Sequence, residues 1–190
     1  MRMKTIGIIL LLFLGHIQNS SADYPKTDAD YAFLPPLCKA RSAGPKSPDY
    51  QMWVKRVGED FNNVHHYCAG LHTLNLALKE QNPSEQQAKF RGAVNEISYV
   101  PSHSAPDFKL LPRIFYDMGQ VYQYMGQIDD AIEAQQKSIS LYQKTSFPYA
   151  ALSDLYEKKN MKSEAKSILE TGLKHNPNSK ILIKRLKKFK

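Results

Sequence analysis

Two cysteines, one tryptophan and nine glycines in 190 residues leave little room for several kinds of chemistry. With Cys38 and Cys68 alone there is no C-x-x-C-H run to attach a haem. The scattered glycines form no phosphate-cradling loop and no G-x-S-x-G nucleophile elbow, and there is no paired metal motif. Long apolar runs are also lacking. Ile6–Leu14 is too short to span a bilayer, which takes roughly 20 residues, and no other segment is apolar enough. Acids are missing from the last eleven residues, which carry Lys180, Lys184, Arg185, Lys187, Lys188 and Lys190. With two more basic residues at the start, the rest of the 26 equal the 18 acids in number, so the net charge of +8 belongs to the ends and not to the body. A neutral body without a basic patch argues against nucleic acid as a partner.

Residues 1–22 read as a secretory signal peptide. Arg2 and Lys4 precede the short apolar run, and Ser20-Ser21-Ala22 supplies small residues at the cleavage positions. The expected location is periplasmic or secreted, with cleavage near Ala22. In an oxidising compartment Cys38 and Cys68 are expected to form one disulfide. That bond would pin residues 23–59, a proline-rich stretch expected to be irregular, to the first long helix. Phe33, Leu34 and Leu37 are expected to pack beneath it, and Trp53, in an amphipathic stretch stopped by Gly58, to pack in the core.

The strongest internal signal is an echo at 34 residues. Gly119 returns as Ser153, Tyr122 as Tyr156, Gly126 as Asn160, Ala131 as Ala165 and Ser138 as Gly172. A fixed period of this length marks stacked units. Gly126 and Asn160 suit the left-handed turn between two helices. Asp129 and Ser163, three residues on, suit the N-cap of the second helix. Apolar residues recur at helical spacing in Phe115, Met118 and Tyr122, and in Ile132 and Ile139. A further helical stretch from Asp60 to Gln81 carries Phe61, Val64, Cys68, Leu71 and Leu78. After Asn82-Pro83, Ser84 and Gln87 form a capping-box pattern opening a second helix that ends near Pro101.

These residues resemble the tetratricopeptide repeat, a helix–turn–helix module. Phe115 and Tyr149 take its early aromatic place, Gly119 and Ser153 its small place at the helix contact, and Pro177 its closing proline; Gln143 departs from that last place. The resemblance implies an all-α fold, an antiparallel helix-pair solenoid. Its repeats run over about 112–145 and 146–179, with a degenerate pair at 60–101 or, alternatively, a helical cap there that is not a repeat. Residues 179–190 would form a capping helix, making 60–190 the helical domain. The blocks Tyr31–Cys38 and His65–Gly70 also look similar to a stretch preceding repeats in exported bacterial proteins.

The resemblance further implies a concave face. Arg113, Tyr116, Gln120, Gln123 and Tyr124 would line it in one unit, and Phe147, Ala150, Asp154, Glu157 and Lys158 in the next. Such a face suits an extended peptide or a partner helix. The subgroup that grips a C-terminal carboxylate has Lys and Asn where Tyr116 and Gln120 stand, so carboxylate capture is not expected. The functional expectation is a non-catalytic, exported scaffold or adaptor without a cofactor, binding a protein or peptide partner in the cell envelope. The basic tail, Lys180–Lys190, could add a weak contact with an anionic surface. The alternative is a metal-binding or redox protein using His65, Cys68 and His72, which share one helix face and offer imidazole and thiolate.

Overall fold

The computed structural model describes residues 23–189; the leader expected over residues 1–22 lies outside the described residues, as does Lys190. Ten α-helices follow one another: α1 (Asp28–Tyr31), α2 (Pro36–Ser42), α3 (Pro48–Val57), α4 (Val64–Ala77), α5 (Pro83–Ser102), α6 (Leu111–Tyr124), α7 (Ile128–Leu141), α8 (Phe147–Lys158), α9 (Lys162–His175) and α10 (Lys180–Leu186). Short 3-10 turns occupy Glu59–Asn63 and Lys187–Phe189, and no strand forms among the described residues.

From α4 to α9 the helices pack as antiparallel pairs, each held by a close approach between small residues and backbone. In the α4–α5 pair, a Cβ added to Gly70 would meet the backbone of Ala93 and Ile97. The Gln86 amide donates to the Ala77 carbonyl at the other end, at 3.0 Å. In the α6–α7 pair, Gly119 sits against Gln135 and the Ala131 carbonyl, while the Ser138 hydroxyl donates to the Pro112 carbonyl at 2.6 Å. In the α8–α9 pair, the Ser153 hydroxyl donates to the Ala165 carbonyl at 3.0 Å. Ser153 therefore does in the α8–α9 pair what Gly119 does in the α6–α7 pair, letting the backbones meet, and in addition satisfies a buried carbonyl. The Ser138 hydroxyl thus bonds within its own unit.

The turns follow the expected chemistry. Gly126 and Asn160 have φ of 76° and 59°, the left-handed conformation that reverses the chain between helices. The expected N-caps do not hold. Gln127 and Met161 occupy the cap positions, which places Asp129 and Ser163 inside the first turn. Likewise Asn82, not Ser84, caps α5: its side-chain oxygen accepts from the Ser84 and Glu85 amides, with Pro83 as the first helical residue. Proline needs no amide partner there, so the helix starts two residues earlier than the Ser84 cap suggested. Pro101 lies within the last turn of α5, not beyond it.

Residues 23–59 were expected to be irregular; they contain α1, α2 and α3. Prolines cause the difference, because Pro36 and Pro48 stand in the first turns of α2 and α3, where proline starts a helix instead of breaking one. Gly58, at φ of 106°, stops α3 as expected. A disulfide joins Cys38 on α2 to Cys68 on α4, both buried in the core. Leu34, Leu37 and Tyr50 pack around it, and Trp53 stacks on Phe61 with ring centroids 6.1 Å apart. Phe33 departs from expectation: it is 75% exposed and lies under the Lys79 ammonium.

Candidate functional site

The residues expected on a concave face divide into two groups. On α6 and at the start of α8 they lie open. Phe147 is 59% exposed and Tyr124 is 49% exposed. Tyr116 is half-buried, with its ring 6.2 Å from that of Phe147 and the Arg113 guanidinium over it at 5.7 Å. Tyr124 stacks parallel on Phe90 of α5, so it is held although exposed. Gln120 and Gln123 are half-buried on the same helix.

The second group is largely covered by the chain itself. Ala150 is buried in the small core that Leu182 of α10 enters, so it lines no open surface. Arg185 of α10 grips Asp154 with two nitrogens, Nε at 2.9 Å and Nη2 at 2.7 Å. This forked pair raises the guanidinium pKa above its usual value, chiefly through the hydrogen bond to Asp154. Lys188 stands 3.8 Å from Glu157. Lys158 is exposed and has no ion-pair partner among the described residues. Thus α10 takes the place of a further unit's first helix and uses up the inner acids of the second unit.

Arg113 is fixed from below. Its Nε donates to Asp117 at 2.6 Å, and Asp117 also accepts from the Tyr67 hydroxyl of α4. Tyr67 and Asp117 are buried, and burial raises both pKa values, Asp117 staying raised even beside Arg113. The triad ties α4 to α6 and leaves the guanidinium as a stiff rim above Tyr116.

Beside this rim opens a cavity of about 640 Å³. Phe108, Pro112, Leu141 and Pro148 form its apolar walls; Tyr116, Tyr142 and Phe147 stand at its mouth, with Lys109 and Arg113 at the edge. Tyr142 is 51% exposed, so three large aromatic rings meet water around one recess. Sequence reasoning found Arg113, Tyr116 and Phe147 but missed Phe108, Leu141 and Tyr142. These follow no repeat position, and only the packing of α6, α7 and α8 brings them together.

The metal-ligand face is not assembled. The Cys68 sulfur is bonded to Cys38, and the described residues bring no three His, Cys, Asp or Glu side chains into a metal-holding group. His65 contacts the Asn62 carbonyl at 2.8 Å and the Arg41 guanidinium at 3.3 Å. His66 pairs with Glu96 at 2.7 Å, and His72 is buried on the far turn. His65 and His66 instead join a stack that runs from Tyr24 through them and Tyr99 to His103. No described helix is long and apolar enough to cross a membrane.

Comparison with known proteins agrees with this geometry. The family model described as Tetratricopeptide repeat matches residues 112–145 and 148–179, the α6–α7 and α8–α9 pairs. Those two units are tetratricopeptide repeats, the second beginning two residues later than its expected start at 146. A solved structure titled as the crystal structure of MamA protein superposes with a TM-score of 0.51 at 19% identity, covering 76% of this chain and 67% of its own. A second structure, titled as the crystal structure of MamA, gives a TM-score of 0.42 at 18% identity over 75% of this chain and 95% of its own. The first likeness is one of fold. A comparison with curated proteins finds no match.

Proposed function

We propose that this chain is an exported, non-catalytic interaction module that holds an extended segment of a partner protein in the cell envelope and scaffolds an assembly there. The observation that carries the reading is the open aromatic recess. Phe147, which opens α8, and Tyr142, which follows α7, keep more than half of their surface in water around an apolar cavity. Exposed apolar surface clustered on a rigid frame marks an interaction site, and stacked helix pairs present such surfaces for protein partners. Tyr116 and Arg113 are already held in place, so little ordering would be required on binding. Export is supported by the leader pattern of residues 1–22 and by the buried disulfide, a bond that persists in oxidising compartments.

Peptide display against the oxidised mature chain, followed by calorimetry of the selected peptides, tests this reading. Phe147→Ala and Tyr142→Ala should each weaken binding by about tenfold or more, as an anchoring aromatic contact does. Lys158→Ala should change it little. Selected peptides that bind both aromatic variants as tightly as the parent chain would remove the recess as the site. Fractionation of cells expressing the full chain tests export separately.

A further inference from the structure

We propose that the outer face of α10 docks on an anionic lipid surface. The helix divides cleanly by side. Inward, Leu182 is fully buried, Ile181 and Leu186 pack on the Tyr149 core, and Arg185 is taken by Asp154. At 100° per residue the opposite side carries Lys180, Ile183 and Lys184, Lys187 at the C-cap continues it, and all four are exposed. Among the described residues no carboxylate lies within 4.0 Å of Lys180, Lys184 or Lys187. The carboxylates Asp154 and Glu157 pair instead with Arg185 and Lys188.

Docking of the helix does not need this stripe. Leu182 and Arg185 seat α10, while like charges at i and i+4, as in Lys180 and Lys184, disfavour a helix in water. Lysine, moreover, is the cation suited to a diffuse negative surface. It acts as a mobile point charge, whereas the planar fork that reads a single carboxylate or phosphate belongs to arginine, and Arg185 is turned inward. Ile183, 39% exposed amid the lysines, adds an apolar tip with long methylene stems on either side. That combination fits the headgroup boundary of a bilayer, where stems and isoleucine bury and ammonium groups meet phosphate. No residue of this face is among those that line the recess at Tyr116 and Phe147.

Co-sedimentation of the mature chain with vesicles tests the assignment. Binding is expected on phosphatidylcholine vesicles containing a third phosphatidylglycerol, and not on phosphatidylcholine alone. The triple variant Lys180→Gln, Lys184→Gln, Lys187→Gln should lose about a hundredfold in partitioning, roughly fivefold per lysine. Its helical signal and melting temperature should stay unchanged, since these side chains seat nothing. Ile183→Ser should lose several-fold on vesicles. Absence of wild-type binding to the anionic vesicles, or full binding by the triple variant, overturns the proposal. A preference for soluble poly-aspartate over vesicles, with Ile183→Ser binding as well as wild type, also overturns it and assigns the face to an acidic protein.

Discussion

Replacing Gly70 with alanine puts one methyl group where α4 and α5 touch. The added Cβ would lie 2.5 Å from Cγ1 of Ile97, 2.8 Å from the Ala93 carbonyl oxygen and 3.1 Å from the Ile97 amide nitrogen. Carbon atoms in ordinary contact stand about 3.5–4.0 Å apart. Ile97 could turn, but the backbone of Ala93 cannot move without the helix that carries it. Both residues are fully buried, so the strain spreads into the core around Cys68 and Phe61. Overpacking of this kind costs about 1–3 kcal/mol, and because backbone is involved the upper end applies. Alanine returns about 1 kcal/mol in helix propensity over glycine. The net loss is about 1–2 kcal/mol, a fall of about 2–8 °C in melting temperature for a domain of this size. Thermal unfolding followed by circular dichroism measures it, with Gly44→Ala as the companion. Gly44 has open space around it and a φ of 82°, so that variant reports backbone strain without crowding. A Gly70→Ala protein as stable as the parent would refute the reasoning: the first helix pair would then have slack, and Gly70 would not set its spacing.

Two further outcomes are expected. Removing the disulfide with Cys38→Ser and Cys68→Ser should cost about 3–4 kcal/mol by the chain-entropy estimate for the loop it closes, read as a lower denaturation midpoint, and the parent chain should show no free thiol when unfolded without reductant. The His65 imidazole is held below its usual value of 6.5 by burial, with His66 and Arg41 adding repulsion against a partly offsetting hydrogen bond to Asn62. The unfolded chain therefore binds that proton more readily, so the stability His65 contributes is full above its ordinary value and is lost as pH falls through the depressed one. Melting temperature should fall as pH drops below the ordinary imidazole value of 6.5, and less steeply in His65→Gln.

Much of the fold was legible because it depends on neighbours in sequence. Gly126 and Asn160 read as turn residues because a left-handed φ excludes most side chains, and that constraint acts at one position. Gly119 and Ser153 read as contact points because the 34-residue period aligned them. Gly70 plays a similar part and escaped notice: it has no repeat partner, and only the distance to Ala93 and Ile97 reveals it. The helix starts at Gln127 and Met161 were misplaced because an acid or serine within a first turn looks, in sequence, like a cap.

The site was half legible. Repeat position marked Tyr116 and Phe147, yet it also marked Ala150, Asp154 and Glu157, which α10 covers or engages. Periodicity describes a unit as though its neighbours were more of the same; it carries no information about how a shorter, charged helix finishes the stack.

By itself the sequence determined the helical units, their turns and the pairing of two cysteines, since these rest on local backbone preference, a period and a count. Tertiary structure alone decided which surfaces stay in water. Burial and ion pairing are properties of residues far apart in the chain. Only their meeting turned Arg185 onto Asp154, left Lys180, Lys184 and Lys187 facing outward, and gathered Phe108, Tyr142 and Phe147 around one recess.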